Sequence, residues 1–271
     1  MSPRVETVVI GGGQAGLSTS YHLGRRGREH VVLEQAAHAG NAWRNGRWDS
    51  FTLVTPNWSF LLPGAGYDGD APDGFMPRDE IVARLERYVE DFGLPVRYGV
   101  RATSVERKAG NDGYIVRTDA ETIEAANVVV ATGLFQRAKM PALSADLAGN
   151  IEQLHSGEYR DPSGLRDGAV LVVGSAQSGC QIAQELYQSG RRVYLCVGGA
   201  GRVPRPDGVA AACRRHGVHA QVERPRQPRD PAPDSAGLRV HGDGRGHPGH
   251  RLTETLIAQA GGEAAARFST T

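Results

Sequence analysis

The feature that most constrains this 271-residue chain is an apolar run, Val5 to Ile10, that leads directly into a glycine-rich turn and then into a helix pattern, Ala15 to Gly24. The turn reads G-x-G-x-x-G from Gly11 to Gly16. A strand, a turn of this kind and a helix form the opening of a dinucleotide-binding βαβ unit. Because apolar runs without alternation are typical of parallel sheets covered on both faces, the sequence predicts an α/β fold.

The residues of this turn have separate roles in such units. Gly11 permits the tight turn, Gly13 lets the backbone approach a pyrophosphate, and Gly16 lets the helix and strand pack closely. The backbone N–H groups at the start of the helix, at Gln14 and Ala15, are then free to bind phosphate. We therefore expect these five residues to contact a dinucleotide.

A carboxylate stands where such units hold the ribose of the ligand. Glu34 ends the second apolar strand, Val31 to Leu33, and lies 21 residues after Gly13. A carboxylate at this place accepts hydrogen bonds from ribose hydroxyls and repels a 2′-phosphate. The first unit is thus predicted to bind a dinucleotide whose ribose is not phosphorylated.

The same pattern recurs roughly 160 residues later in the chain. The strand Ala169 to Val173 leads into a second glycine turn, which a helix and a further strand follow. Gly174, Ser178 and Gly179 match the motif and are predicted to bind a second nucleotide.

The second turn differs from the first in features that bear on the coenzyme. Ala176 replaces the middle glycine, Gly198 stands where an acid is expected, and Arg202 and Arg205 follow closely. An absent acid with arginines nearby favours a 2′-phosphate, and therefore NADPH over NADH. The alternative is that the two arginines are ordinary surface charges.

Between the two turns the sequence predicts a long loop region and a small meander. Residues 40–76 are rich in Trp, Gly, Pro and Asn, and Asp79 to Phe92 is an amphipathic helix. The predicted strands that follow are Val100 to Val105, Tyr114 to Thr118, Thr122 to Glu124 and, as a separate buried strand, Asn127 to Ala131.

Two such turns with a meander between them resemble the two-dinucleotide-binding-domain flavoproteins, and among these the flavin-containing monooxygenases. The resemblance covers roughly residues 5–205. It implies an FAD-binding Rossmann-like domain of the ββα type with an inserted, incomplete NAD(P)-binding Rossmann domain. FAD would bind at the first turn and NADPH at the second.

Further segments match this family. Trp43 and Arg44 fall in the stretch that runs beside the flavin, and Asn57 resembles, loosely, a flavin-facing asparagine with a catalytic role. The remaining matches are the T-x-V strand at Thr103 to Val105, the A-T-G turn at Ala131, Thr132 and Gly133, and the H-S-x-x-Y segment from His155 to Tyr159.

The activity that the resemblance implies is that of an FAD-dependent oxidoreductase. Hydride would pass from NADPH to the flavin, and one oxygen atom of O₂ would pass to a small-molecule substrate. Two alternatives stay open: an NAD(P)H:flavin reductase, and a nucleotide-binding remnant or regulator without turnover. The missing C-x-x-C argues against a disulfide reductase.

Charge and composition exclude several other classes of function. The 31 Lys and Arg residues and 30 Asp and Glu residues leave a net charge of +1, which argues against nucleic acid as the main partner. Apolar runs stay well short of the roughly 18 residues that span a bilayer, and the start of the chain lacks the parts of a secretion signal. Three cysteines without a C-x-x-C pair indicate the cytoplasm. Nothing in the sequence predicts an oligomeric state.

The composition changes near Arg205. Residues 206–271 contain 9 Arg, 9 Gly, 11 Ala, 6 Pro and 5 His, but only 9 residues of the Val, Ile, Leu and Phe types. This apolar share of about 14% is below the roughly 20% needed for a core. We predict a low-complexity, largely disordered tail in which only Leu252 to Ala266 could form a helix, and whose histidines match no metal template.

Three segments follow from these patterns: residues 1–160 as an incomplete FAD-binding domain, 161–205 as a partial NADPH-binding βαβ unit, and 206–271 as the tail. The bias of the tail is the one that GC-rich DNA gives when it is read in a wrong frame. We interpret the tail as a truncated or out-of-frame replacement.

The coding DNA checks this interpretation. A shifted reading frame after about residue 205 should encode an apolar continuation with strand patterns. If all the shifted frames lack such patterns, the interpretation is wrong.

Overall fold

The computed structural model describes residues 3–135 and 137–197, together with the backbone of residues 239–241 and 256–260. Within these residues the chain divides into two compact units. The first unit takes residues up to Gly46 and residues 55–135. The second takes Arg47–Val54 and the described residues after 136.

The first unit is built on a six-stranded mixed sheet. Its strands are β1 (Arg4–Ile10), β2 (His30–Glu34), β3 (Val96–Tyr98), β4 (Ala102–Arg107), β5 (Tyr114–Thr118) and β6 (Thr122–Val130), and its helices are α1 (Gln14–Arg25), α2 (Asn41–Arg44) and α3 (Arg78–Asp91). The strand order is β3-β2-β1-β6-β5-β4. The first four of these strands pair in parallel, whereas β6, β5 and β4 form an antiparallel meander.

The sheet and the meander share a buried apolar cluster. Val8 of β1 and Leu33 of β2 lie in it, and the meander contributes Val116 and Ile123. Helix α1 packs on β1 and β2, and its Leu17 is fully buried. The predicted α/β class is confirmed, because the non-alternating apolar runs form parallel strands in the interior of this sheet.

One predicted boundary inside the meander is wrong. The sequence analysis separates Thr122 to Glu124 from a strand at Asn127 to Ala131, but β6 is one strand of nine residues. It pairs with β1 from Glu124 to Val130, while its first residues also pair with β5. This continuous backbone pairing on the β1 side overrides the weak strand preference of the alanines at 125 and 126.

The second unit has a five-stranded sheet and one long helix. Its elements are β7 (Glu152–His155), β8 (Ala169–Val173), α4 (Gln177–Gln188), β9 (Val193–Cys196), β10 (Arg239–His241) and β11 (Leu256–Ala260). The strand order is β10-β9-β8-β11-β7. Strands β8, β9 and β10 are parallel, and β11 runs antiparallel between β8 and β7.

The helix predicted from Leu252 to Ala266 is wrong over its described part. Leu256–Ala260 is a strand that pairs with β8 on one side and β7 on the other. Pairing on both sides satisfies the backbone N–H and C=O groups of this segment, and such tertiary pairing overrides a helix preference. The tail therefore contributes two strands to the sheet, although it was expected to be largely disordered.

Residues 47–54 leave the first half of the chain and complete the core of the second unit. Trp48 is only 2% exposed and packs in a cluster with Tyr159, Val172 and Ile182. Its ring meets that of Phe51 edge-on at 5.1 Å between centroids.

The contacts divide the chain at other places than the expected boundary at residue 160. Residues 137–160 belong with the second unit, because β7 lies in its sheet and Tyr159 lies in its core. None of the helices in the described ranges is long and apolar enough to cross a membrane.

Replacing Trp48 by alanine should destabilise the second unit by about 3–5 kcal/mol, because a large buried ring leaves a cavity. Urea denaturation followed by circular dichroism measures this loss. Trp58→Ala is the matched control, since Trp58 is 56% exposed and its loss should change the free energy of unfolding by less than about 0.5 kcal/mol. Equal losses in the two variants would contradict the assignment of Trp48 to the core.

Candidate functional site

The first glycine turn is held by very close backbone contacts. Gly11 has a φ of +112° and donates its N–H to Leu33 O at 2.8 Å. A Cβ on Gly11 would lie 2.5 Å from Ala131 O, and a Cβ on Gly16 would lie 1.9 Å from Gly11 O. These positions therefore require glycine for the tight turn and for close packing of α1 on the sheet, as the motif predicts.

Gly13 differs from these two glycines because its side-chain direction is open. A Cβ on Gly13 would meet no atom within 4 Å. Gly13 is also the residue from which α1 begins, and none of the described side chains caps that helix. The first N–H groups of α1, at Gln14 and Ala15, therefore face open space that a phosphate can fill.

Glu34 lies directly beside this turn. Its carboxylate accepts the N–H of Gly12 at 2.7 Å through Oε2 and the N–H of Ala36 at 2.9 Å through Oε1. The side chain is 8% exposed. Each oxygen keeps a second lone pair, so the carboxylate can still accept hydrogen bonds from a ribose.

The A-T-G turn closes the other side of the site. The N–H of Ala131 donates to Ile10 O at 2.8 Å, which extends the pairing of β6 with β1 past the end of both strands. Gly133 has a φ of +78°, a conformation that favours glycine. Thr132 lies between them. The turn thus leaves the sheet at the first glycine turn.

The loop region that follows α2 is tied to the start of α1. Gln14 donates its side-chain N–H to Leu61 O at 3.2 Å. Arg84 of α3 pairs with Asp68 at 2.8 Å and lies 4.6 Å from the centre of the Tyr67 ring. Because the Arg84 side chain donates to it, the pKa of Asp68 lies below its usual value. These contacts fix the loop relative to both helices.

Asn57 is held inside this loop. It is 4% exposed, its backbone N–H donates to Gly74 O at 2.9 Å, and its Nδ2 donates to Ala71 O at 2.9 Å. Its Oδ1 is buried and has no donor among the described residues. A buried acceptor without a donor is uncommon in proteins and needs a partner.

Trp43, Arg44 and Val105 lie elsewhere on the first unit. Trp43 is half-buried in α2, and the exposed Arg44 donates to Glu86 Oε1 at 2.6 Å. Val105 is 41% exposed on β4. The segment before β4 touches the end of β2, since Val100 donates its N–H to Glu34 O at 3.0 Å.

The second turn repeats the backbone geometry of the first. Gly174 has a φ of +110° and donates its N–H to Cys196 O at 3.0 Å. Ala176, with φ −76° and ψ −174°, begins α4 in nearly the conformation of Gly13, whose angles are −87° and −176°. Ser178 and the buried Gly179 lie in the first turn of α4. The alanine is therefore compatible with the turn.

The position that corresponds to Glu34 is Val197, not Gly198 as predicted. The register pairs Ile10 with Leu33 in the first unit and Val173 with Cys196 in the second. Backbone pairing rather than distance from the last motif glycine sets the correspondence. The absence of an acid holds for either residue. Gly198, Arg202 and Arg205 lie outside the described residues.

The segment from His155 to Tyr159 has a structural role in the second unit. His155 Nδ1 accepts the N–H of Gly157 at 3.1 Å. The Tyr159 hydroxyl, 1% exposed as a residue, donates to Glu185 Oε2 at 2.8 Å. Burial and then the hydrogen bond to Glu185 raise the pKa of Tyr159, so the phenol stays protonated.

Two residues with roles in these arrangements were missed by the sequence analysis. Gly12 faces Glu34, and a Cβ there would lie 3.0 Å from Glu34 Oε2. Three consecutive glycines where the motif needs two were the available signal. Trp48 completes the second core, and a local pattern gives no sign of this because its partners come more than 100 residues later.

Comparison with known proteins gives relatives of one kind. The profile of the family described as pyridine nucleotide-disulphide oxidoreductase matches residues 8–211. The chain is 39% identical over 194 residues to an uncharacterized CzcO-like oxidoreductase of Geobacillus kaustophilus, a match that covers 72% of this chain and 54% of the relative. It is 27% identical to the indole-3-pyruvate monooxygenase YUCCA4 of Oryza sativa subsp. japonica, covering 70% of this chain and 46% of that protein.

A solved structure agrees with these relatives. The flavin-containing monooxygenase from Stenotrophomonas maltophilia superimposes with a TM-score of 0.69 at 29% identity, covering 81% of this chain and 70% of that one. This confirms the predicted resemblance and the Rossmann-type fold. The chain spans about half the length of the curated relatives it matches. With three quarters of its length inside the matched profile, the chain belongs to the pyridine nucleotide-disulphide oxidoreductase family.

Proposed function

We propose that this chain binds FAD and NADPH and acts as an FAD-dependent monooxygenase that uses O₂ to oxygenate a small molecule. The observation that carries this proposal is the first turn, where open space at Gly13 adjoins the Glu34 carboxylate. Likeness to a flavin-containing monooxygenase and to an indole-3-pyruvate monooxygenase supports the reaction type.

Each part of the first turn has a task in this proposal. The N–H groups of Gln14 and Ala15 bind the pyrophosphate of FAD, and Gly13 leaves room for it. Glu34 accepts hydrogen bonds from the ribose hydroxyls while Gly12 keeps the carboxylate in place. The bound flavin supplies the redox chemistry, taking hydride from NADPH and activating O₂.

The flavin end of the cofactor falls to the loop residues. Trp43 and Arg44 line the flavin and help to keep water away, and the backbone near Val105 and at the Ala131–Gly133 turn borders the cofactor. Asn57 is the proposed catalytic residue. Its unpaired Oδ1 accepts a hydrogen bond at the flavin, and its bonds to the loop backbone hold it in position. Gly174, Ser178 and Gly179 bind the NADPH pyrophosphate, and Arg202 and Arg205 bind its 2′-phosphate.

The purified protein tests this function directly. It should be yellow, and NADPH added without air should bleach it. When air is admitted, oxygenation of amines or sulfides coupled to NADPH consumption supports a monooxygenase. Release of hydrogen peroxide in place of product indicates a flavin reductase, and a colourless protein that takes up no FAD indicates a nucleotide-binding regulator or remnant.

Glu34→Gln should weaken FAD binding by about 10- to 100-fold, the effect of one lost hydrogen bond to a charged group. The amide places an N–H₂ group against the N–H of either Gly12 or Ala36, where both carboxylate oxygens now accept. Titration of the apoprotein with FAD, followed by flavin fluorescence, measures the change. Glu29→Gln, at an exposed position, is the control. A dissociation constant within twofold of wild type in Glu34→Gln would refute the role of the carboxylate.

Asn57→Ala should lower the oxygenated product formed per NADPH, on the order of 100-fold, because a preorganised hydrogen bond is lost. The rate at which NADPH bleaches the flavin should stay within about twofold, since the hydride step does not use Asn57. Product and peroxide are measured together in the same reaction. Asn127→Ala, on the exposed surface of β6, serves for comparison. Unchanged coupling in Asn57→Ala would exclude Asn57 from the oxygen chemistry.

A further inference from the structure

The two glycine turns can be compared residue by residue. Corresponding positions stand 163 residues apart throughout, both at the turn (174 − 11) and on the following strand (196 − 33). The strand registers and the helix starts agree with this offset. Gly12 of the first turn therefore corresponds to Ser175 of the second, and Glu34 corresponds to Val197.

In the first turn these two positions face one another. A Cβ on Gly12 would lie 3.0 Å from both Cβ and Oε2 of Glu34, and the Gly12 N–H donates to that oxygen at 2.7 Å. The side-chain direction at position 12 therefore points to the place where the ribose hydroxyls of a nucleotide meet the acid. Glycine leaves this place to the carboxylate.

In the second turn the same place is chemically different. Ser175 brings a hydroxymethyl group there, and Val197 is half-buried against the apolar cluster of the second unit. The N–H of Ser175 has no hydrogen-bond acceptor among the described residues, whereas its counterpart at Gly12 is taken up by Glu34. The turn thus offers two donors, N–H and O–H, and no negative charge.

We infer that Ser175 binds the 2′-phosphate end of the coenzyme at the second turn and, together with Val197, selects NADPH over NADH. This inference rests on the proposed NADPH site and adds a residue to it. The hydroxyl donates to a phosphate oxygen as a charge-assisted hydrogen bond. Val197 removes the repulsion that a carboxylate would exert on the phosphate. The pairs Gly12–Glu34 and Ser175–Val197 thus direct FAD and NADPH to different turns.

Calorimetry on the FAD-loaded protein tests this with two probes, adenosine 2′,5′-bisphosphate and ADP, which differ only in the 2′-phosphate. Ser175→Gly should weaken the bisphosphate about 10-fold, the effect of one hydrogen bond to a charged group, and leave ADP within about twofold. The variant is expected to fold, because glycine occupies the same position in the first turn. Ser189→Ala is the control, since the Ser189 hydroxyl only donates to Leu186 O at the far end of α4.

A second variant rebuilds the chemistry of the first turn. Ser175→Gly combined with Val197→Glu should reverse the preference, so that ADP binds more tightly than the bisphosphate. Equal weakening of both probes by Ser175→Gly, or a preserved bisphosphate preference in the double variant, would overturn the role of Ser175 and leave the proposed function standing. A wild-type protein that holds FAD but binds neither probe would overturn both the NADPH site and this inference.

Discussion

The first unit depends on the contact of three backbone segments at Gly11. The end of β1, the start of α1 and the end of β6 come so close there that a single Cβ would strike Ala131 O or Gly11 O. This closeness directs the first N–H groups of α1 past the edge of the sheet toward open space. The same contact places Ile10 beside Leu33, and so brings the next residue, Glu34, to the turn. The geometry of a nucleotide site thus follows from the absence of side chains.

The second unit repeats this geometry with different side chains. Its turn has nearly the same dihedral angles and the same hydrogen bond from the turn to the neighbouring strand. A fold of this kind determines where a phosphate can bind, but the residues beside the turn determine which nucleotide fits. The exchange of glycine and glutamate for serine and valine is therefore the kind of difference by which one chain can hold two dinucleotides apart.

The core of the second unit is completed by residues that belong, in sequence, to the first. Trp48 and Phe51 pack with Tyr159, and Gln181 of α4 donates its side-chain N–H to Thr52 O at 3.1 Å. Arg160 donates to Arg47 O at 3.1 Å. The segment after α2 is thus anchored at one end by the second core, while the loop that follows it is anchored to α3 by Arg84. Fixing the loop at several points suits a site in which Asn57 must keep one orientation.

The sequence by itself determined the two strand–turn–helix units, the roles of Gly11, Gly13 and Gly16, and the place of Glu34. These features are local, because a glycine motif and an apolar run of fixed spacing specify the backbone of about thirty residues. Only the tertiary structure decided the continuity of β6, the strand at Leu256–Ala260, the burial of Trp48 and the match of Val197 to Glu34. Each of these depends on backbone pairing or packing between residues far apart in the chain, and such contacts leave no periodic pattern at either end.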